Sequence, residues 1–145
     1  MKHRICGLLI KDEHALLIEY RYPSEEPLWH IPGGGIEEGE SAEKTLEREF
    51  QEELGIEVEV VSDCLLTALS YRKSDGQPVK HSVYLVHQLD GCAPQIQPEH
   101  SSGFACHWEP ISLLAGRRLY PNLENYIEQL CRGEVFGDIG QVEPA

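Results

Sequence analysis

The stretch from Gly34 to Ile56 constrains this chain more than any other, because its second half has the pattern of an amphipathic helix. Ser41 is a suitable N-cap residue, and Gly55 stands where a helix commonly ends in a left-handed glycine. Apolar side chains recur every four residues between these two positions, which places them on one face. We therefore predict a helix from about Ser41 to Leu54 whose buried stripe consists of Ala42, Leu46, Phe50 and Leu54.

The opposite face of this helix is unusual, because it places like charges side by side. Glu49, Glu52 and Glu53 are spaced i, i+3 and i+4, so their carboxylates are neighbours. Each like-charged pair costs roughly 0.2–0.5 kcal/mol, and the helix dipole disfavours anions in the last turn. One interpretation is a solvated acidic surface. The other is a site for a divalent cation, for which oxygen ligands alone favour Mg²⁺ or Mn²⁺.

The spacing of the residues around the acidic face bears on this choice. Gly34 is followed by five residues, Glu40 and seven further residues, and the sequence REFQEELGI then runs from Arg48 to Ile56. This pattern resembles the Nudix box of the Nudix hydrolase family, G-x5-E-x7-R-E-U-x-E-E-x-G-U, in which U is a bulky apolar residue. Every constrained position is matched, and the match follows a strand-like segment and three glycines, so we favour the cation site.

The resemblance implies a role for each acidic residue at the end of the box. Glu49, Glu52 and Glu53 correspond to the metal ligands of the family, and the backbone carbonyl of Gly33 is a further expected ligand. Glu49 also matches the general base, or water-orienting group, of some Nudix members. Other members take that base from a later loop, where the candidate in this chain is Glu99. Plain loop surface is an equally good interpretation of Glu99.

The arginine of the box is expected to organise these carboxylates. Arg48 corresponds to the residue that holds them in place through ion pairs, here with Glu52 one turn later and with Glu40. For Glu40 the resemblance favours such structural pairing over direct chemistry. The predicted catalytic residues are therefore Arg48, Glu49, Glu52 and Glu53.

The residues that bind the rest of a substrate are less well defined by the sequence. Arg21, at the loop before Trp29, is our preferred phosphate-binding residue, and Trp29 and Tyr71 are candidates for stacking on a base. Ordinary surface for the arginine, and packing for the aromatic residues, are the competing interpretations. The basic residues considered for phosphate binding are Arg4, Arg21, Arg72, Lys73 and Lys80.

The function implied by the resemblance is a Mg²⁺-dependent pyrophosphohydrolase, with Mn²⁺ as a substitute ion. Members of the family cleave the pyrophosphate bond of a nucleoside diphosphate linked to another group, so the expected partner is a small phosphorylated nucleotide metabolite. The alternative is a non-catalytic, Nudix-like nucleotide sensor. Such domains usually lose the carboxylates of the box, and this chain keeps them.

Length and composition are consistent with a single compact enzyme domain over residues 1–145. The formal net charge of −13 disfavours binding to a nucleic-acid polymer. The five cysteines are scattered and odd in number, which favours reduced thiols and a cytoplasmic location. The apolar run near the N-terminus is too short for a membrane span or a signal segment. The oligomeric state is left open, with a homodimer as one option.

The apolar patterns predict an α/β (α+β) fold. Strand-length runs alternate with the helix over 41–54 and with a second helix from Asn122 to Arg132. The segment from Glu134 is predicted to be a loosely held, flexible tail (134–145). The resemblance extends this expectation to a Nudix-like α/β/α sandwich with a mixed β-sheet. The predicted strands cover residues 4–10, 15–20, 28–32, 57–61, 65–72, 80–89 and 104–108.

Overall fold

The computed structural model of the protein describes residues 1–144. Within this range the strands are β1 (Lys2–Lys11), β2 (His14–Tyr20), β3 (Leu28–His30), β4 (Gly33–Gly35), β5 (Val58–Val60), β6 (Leu66–Tyr71), β7 (Pro78–Gln88), β8 (Ala105–Pro110), β9 (Leu119–Tyr120) and β10 (Gly137–Gln141). The helices are α1 (Ala42–Leu54), a 3-10 helix η1 (Ile111–Gly116) and α2 (Ile127–Cys131). No helix in this part of the chain is long and apolar enough to cross a membrane.

Strand β1 lies at the centre of a mixed sheet. It pairs in parallel with β7 and antiparallel with both β2 and β4. The strand order is β10-β6-β7-β1-β2-β3-β9, and β4, β5 and β8 are attached to β1, β7 and β2 respectively. The mixed sheet expected from the sequence is therefore confirmed.

Helices cover both faces of this sheet, because the apolar residues of its central strands alternate between two cores. Ile5 and Leu9 of β1 pack in the cluster that contains the buried stripe of α1. Cys6 and Leu8 of the same strand pack in a second cluster with η1 and α2. Alternate side chains of a strand point to opposite faces, so β1 holds the two layers together. This arrangement confirms the predicted α/β/α sandwich.

The second helix is shorter than predicted. It covers only Ile127–Cys131, and the preceding residues 124–126 form a turn rather than the start of a helix. The amide of Tyr126 donates to the carbonyl of Leu123 at 2.8 Å, which is the spacing of a turn. Leu123 and Ile127 are nonetheless fully buried. Apolar residues at helical spacing are therefore buried here, but their spacing could not distinguish successive turns from a continuous helix.

The segment from Glu134 differs from the loosely held tail that the sequence predicted. Residues 137–141 form β10, which pairs in parallel with β6. Phe136, Ile139 and Val142 pack against the core, and the amide of Val142 donates to the carbonyl of Leu69 at 2.8 Å. Single apolar residues between glycines and charges have no clear strand period, which explains why the pairing was not predicted. The last residue of the predicted tail lies outside the described residues.

Candidate active site

Helix α1 forms as its sequence predicts. The hydroxyl oxygen of Ser41 accepts a hydrogen bond from the amide of Lys44, and Gly55 ends the helix with a left-handed φ of 68°. Leu46, Phe50 and Leu54 are buried against the sheet. The face that remains outside this core carries the acidic residues of the last two turns.

A long loop covers the C-terminal end of α1. The amide of Gln97 donates to the carbonyl of Glu53 at 2.9 Å, and the amide of Gln95 donates to the carbonyl of Leu54 at 3.1 Å. These bonds satisfy helix carbonyls that would otherwise lack partners. They do not neutralise charge, and the last turn of the helix contains no basic residue. The acidic end of α1 is therefore held in place without a positive partner in its own last turn.

The glycine strand β4 allows a carboxylate to approach the backbone. Gly33–Gly35 pairs with Arg4–Cys6 of β1, and a Cβ atom placed on Gly34 would overlap the carboxylate of Glu49. A Cβ atom on Gly33 would collide with the carbonyl of Ile5. Only glycine at these two positions leaves room for both the sheet pairing and the Glu49 side chain.

Arg48 connects α1 with β4 and with the acidic residues. Its Nη2 donates to the carbonyl of Gly35 at 3.1 Å, and its Nη1 donates to Glu49 at 2.8 Å. The same Nη1 lies 3.4 Å from Glu52. The strongest contact is a two-pronged pair with Glu40, at 2.7 and 2.9 Å. Hydrogen bonds from Arg48 lower the pKa of Glu40 to about 2.

Glu49 and Glu53 form a crowded pair of carboxyl groups. Burial and the neighbouring Glu49 charge raise the pKa of Glu53 to about 7. Burial also raises the pKa of Glu49, although Arg48 opposes the change. Two carboxylates that cannot both ionise freely are in a state that a bound cation would relieve.

These groups line a cleft of about 520 Å³. One side of the cleft is anionic, because Glu49 and Glu53 both face it, and Lys2 and Arg4 supply positive charge nearby. Aromatic side chains and β4 complete the wall. The cleft thus combines an acidic pair, two cations and exposed backbone in one small volume.

The donor set of the cleft fits a hard divalent cation. Its candidate ligands are carboxylate oxygens, which Mg²⁺ and Mn²⁺ prefer. The raised pKa of Glu53 and the space that Gly34 leaves for Glu49 are the observations that support this fit. Within residues 1–144, however, no three Asp, Glu, His or Cys side chains are grouped closely enough to hold an ion by themselves. Further ligands would have to come from backbone, substrate or water, or from a carboxylate side chain that turns towards the pair.

The comparison with known proteins is consistent with this geometry. The NUDIX domain family matches residues 1–130. The chain belongs to the Nudix hydrolase family. The fold of this Nudix chain is similar to the solution structure of the E. coli ORF135 protein, with a TM-score of 0.71 and 24% identity over 91% of this chain and 89% of that one.

Curated relatives match smaller parts of this Nudix chain. An RNA pyrophosphohydrolase from Teredinibacter turnerae is 38% identical over 68 residues, which are 46% of this chain and 40% of the relative. The nucleoside triphosphatase NudI from Salmonella agona is 29% identical over 100 residues, 61% of this chain and 65% of the relative. The chain therefore spans less than two thirds of the length of either relative.

The predicted box residues of this Nudix chain are only partly brought together. Gly33, Glu49 and Glu53 line the cleft, whereas Glu52 is not among the described residues that line it. The Glu52 side chain is 38% exposed and contacts Arg48. Arg48 pairs with Glu40 and Glu49 at shorter distances than with Glu52, the partner first expected for it.

The predicted substrate-binding residues are dispersed. Arg21 pairs with Glu19 and stacks on Phe104, away from the cleft lining. Trp29 packs against the core and beside His107, with ring centroids 5.4 Å apart. Tyr71 lines a neighbouring pocket and not the acidic cleft.

Glu99 is exposed in the loop that covers the end of α1, and it is absent from the described lining of the cleft. Its neighbour Gln97 contributes the backbone bond that caps the helix. The loop therefore contacts α1 through the backbone of Gln97, two residues before Glu99, and through the side chain of Ile96, which packs against the core that contains Phe50.

Arg4 lines the cleft, although the sequence named it only as one of several basic candidates. Its guanidinium is buried, donates to the carbonyl of Ile31 and the sulfur of Cys6 at 2.8 Å each, and lies 5.2 Å from the ring centre of Tyr120. The available signal was a charged residue at the start of an otherwise apolar strand. Arg4 was considered only as one of several basic residues, because the position of the cleft beside β1 depends on the folded sheet.

Proposed function

We propose that this Nudix chain is a hydrolase that cleaves the pyrophosphate bond of a nucleoside diphosphate linked to another group. The observation that carries the proposal is the crowded pair of Glu49 and Glu53 in a cleft that also contains Arg4. Phosphate groups would be held beside the acidic pair by this buried cation. The small size of the cleft and the net charge of −13 favour a small metabolite over a polymer.

A divalent ion, Mg²⁺ or Mn²⁺, would be held by Glu49 and Glu53, with Glu52 and the carbonyl of Gly33 as further ligands. Such an ion supplies positive charge that offsets the negative charge growing on the phosphoryl oxygens. We assign Glu52 to these ligands because it matches a metal-binding position of the Nudix box. Only one oxygen of the Glu52 carboxylate contacts Arg48, so the other is available.

The residues of the chain would act on the attacking water and on the phosphates. A carboxylate, for which Glu49 is our choice over Glu99, accepts a proton from water as the water oxygen bonds to phosphorus. The bond from phosphorus to the bridging oxygen breaks, and its electron pair leaves with the departing phosphate group. Arg48 positions Glu49 through the 2.8 Å hydrogen bond, and Arg4 binds phosphoryl oxygens.

The test is a substrate panel assayed with Mg²⁺, with Mn²⁺ and with a chelator. The panel contains ADP-ribose, nucleoside diphosphate sugars, dinucleoside polyphosphates and nucleoside triphosphates. A 5′-triphosphorylated RNA oligonucleotide is added because relatives include an RNA pyrophosphohydrolase. We expect metal-dependent phosphate or nucleotide release with at least one small substrate. Release with none of them would reject the hydrolase and favour a nucleotide-sensing module.

Matched glutamine variants test the assignment of the carboxylates. Glu49→Gln and Glu53→Gln should lower kcat by orders of magnitude, whereas Glu99→Gln should retain it. Glu52→Gln should also lower kcat by orders of magnitude, and near-normal turnover in this variant would remove Glu52 from the ion site. A large loss in Glu99→Gln with normal Glu49→Gln activity would transfer the base to the loop. A cytoplasmic location and a homodimeric state remain proposals that fractionation and light scattering would check.

A further inference from the structure

The acidic cleft contains two positive charges at different positions along β1. Lys2 and Arg4 both line it, and they lie on the same face of the strand because successive side chains alternate. His3, between them, faces the other way, and its Nε2 lies 2.7 Å from the hydroxyl of Ser82. Residues two positions apart on a strand are separated by about 6.6 Å. The cleft therefore presents two distinct cationic positions to a ligand.

The two cations differ in depth and in freedom. Arg4 is 7% exposed, and its guanidinium is held by the carbonyl of Ile31 and the sulfur of Cys6. Lys2 is exposed, and its side chain passes the backbone of Gly35, where a Cβ atom would lie 3.2 Å from Lys2 Cε. Arg4 is thus a fixed cation inside the cleft, whereas Lys2 is a flexible one at its mouth.

Neither cation is neutralised by a carboxylate in contact with it. Within residues 1–144, every arginine except Arg4 forms an ion pair with Asp or Glu, and Lys2 forms none. The charge of Arg4 acts on Glu49 and Glu53 only from a distance. The chain has 25 acidic and 12 basic residues, so carboxylates are plentiful. Two cations without a contacting carboxylate on one wall of a cleft therefore favour an anionic ligand.

The groups that can follow a diphosphate differ in charge. A sugar is neutral, whereas a further phosphate is anionic and makes a shorter and stronger hydrogen bond with an ammonium group. A diphosphate held by Arg4 occupies the inner part of the cleft, so the group that follows it towards the mouth meets Lys2. The Lys2 ammonium can therefore distinguish a phosphate from a sugar at this position.

We propose that the cleft prefers a chain of three or more phosphates, with Arg4 binding the inner phosphates and Lys2 the outermost one. Lys2 is then the residue that determines specificity for the group linked to the nucleoside diphosphate. The inference rests on the proposed function, since it names that group as one or more further phosphates. It goes further by making sugars the disfavoured group.

Binding of phosphate chains that resist hydrolysis tests the inference without requiring turnover. Imidodiphosphate and diimidotriphosphate, in which NH groups replace the bridging oxygens, are titrated into the full chain with Mg²⁺ by isothermal titration calorimetry. Wild type should bind the triphosphate analogue more tightly. Lys2→Gln should weaken binding of the triphosphate analogue about tenfold, through one lost charge-assisted hydrogen bond, and leave binding of the diphosphate analogue unchanged. An equal loss for both analogues, no loss for either, or no binding to wild type would overturn the inference.

Two further variants separate the position of the charge from its presence. Lys2→Arg keeps a cation at the mouth of the cleft and should retain the preference for the longer chain. Lys11→Gln removes the same charge at the far end of β1, where the exposed Lys11 lies over Trp108, and should bind both analogues as wild type does. A loss in Lys11→Gln equal to that in Lys2→Gln would show that only net charge matters, and would reject the assignment of Lys2.

Kinetics with the substrate panel separates this inference from the proposed function. Triphosphate binding that Lys2→Gln weakens, in a chain that hydrolyses nothing, would support the phosphate-chain site and reject the hydrolase. Hydrolysis that is most efficient with nucleoside diphosphate sugars, and unchanged in Lys2→Gln, would support the hydrolase and reject the inference. If both are right, Lys2→Gln lowers kcat/KM about tenfold for nucleoside triphosphates, mainly by raising KM, and leaves kcat/KM for the sugars unchanged.

Discussion

Arg48 and Glu40 are joined by two parallel hydrogen bonds, from Nε to Oε2 at 2.7 Å and from Nη2 to Oε1 at 2.9 Å. This pair of hydrogen bonds fixes the plane of the guanidinium, and its third nitrogen, Nη1, donates to Glu49. Glu40 itself also accepts hydrogen bonds from the amide of Glu37 and the hydroxyl of Thr45. Glu40, the first constrained glutamate of the box, therefore anchors the arginine that positions the Glu49 carboxylate in the cleft.

Replacing either residue of this pair should impair catalysis. Arg48→Lys cannot make the planar, two-pronged contact, and Glu40→Gln removes its charge. We expect each change to lower kcat on the order of 10–100-fold, because Glu49 loses its fixed position. Steady-state kinetics on the best substrate of the panel provides the measurement.

The double variant makes the test specific. Since both residues act on Glu49 through one linkage, the losses in Arg48→Lys and Glu40→Gln should be less than additive when combined. Lys44→Gln, an exposed change elsewhere on α1, serves as the control and should have normal kcat. Fully additive losses would show that Glu40 does not act through Arg48.

Gly34→Ala should lower activity more than stability. The added Cβ atom would meet the Glu49 carboxylate, with Oε2 only 2.7 Å away, and the end of that side chain can move aside. The backbone can therefore tolerate alanine, while Glu49 is displaced from the cleft. We expect a drop in kcat of about 10–100-fold with a small change in Tm.

Gly35→Ala is the neighbouring control. Its Cβ atom would meet only the flexible Lys2 side chain, at 3.2 Å. This variant should retain most of its activity and its Tm. Equal loss of activity in both variants would indicate that β4 as a whole, and not the space beside Glu49, is required.

The parts of the molecule that the sequence predicted well are local. Ser41 and Gly55 define the ends of α1 through contacts within a few residues, and the acidic spacing follows directly from the helical period. The family resemblance added the layer architecture. These features depend on neighbouring residues or on a motif, and both can be recognised in the sequence without knowing how the strands pair.

The parts that the sequence left undecided depend on pairings between distant segments. Arg4 belongs to the cleft because β1 pairs with β4 and β7, which are far away in the chain. Tyr71 acquires a pocket because the C-terminal segment returns to β6. Neither pairing leaves a local period in the sequence, so the sequence could name Arg4 and Tyr71 as candidates among others but could not place either of them in a cavity.

The stability of the metal-free chain should depend on the proton of Glu53. Its pKa in the folded state is raised to about 7, so the folded state binds this proton more tightly than the unfolded state does. The free energy of unfolding therefore falls as pH rises from about 4.5 to about 7. In Glu53→Gln this loss is absent, and at pH 8 the variant should be more stable than wild type by on the order of 1–2 kcal/mol, allowing for solvent screening.

Urea unfolding in the presence of a chelator at pH 4.5, 6 and 8 measures this difference. The advantage of Glu53→Gln should shrink towards pH 4.5, where the wild-type carboxyl is protonated in the folded state. Glu47→Gln, on the exposed face of the same helix, should show no such advantage. A Glu53→Gln variant that is less stable than wild type at pH 8 would contradict the crowded pair.

His81 should make the fold sensitive to acid. Its side chain is fully buried, its ring nitrogen Nε2 is 2.8 Å from the hydroxyl of Ser70, and burial, followed by the charge of Arg4, lowers its pKa to about 3. Below about pH 6.5 the unfolded chain takes up a proton here that the folded chain does not. This histidine therefore does not reduce the free energy of unfolding above about pH 6.5. As the pH drops from there towards 3, the free energy of unfolding falls by about 1.4 kcal/mol per pH unit for this one group.

His81→Gln removes this titration. The variant should be less stable than wild type at pH 7, because it disturbs a packed site, but its stability should fall less steeply between pH 6 and pH 4.5. Urea unfolding at intervals across this range gives the slope, and His100→Gln, an exposed histidine change, should leave the slope as in wild type. An identical slope in His81→Gln and wild type would mean that this histidine already takes up its proton in the folded state.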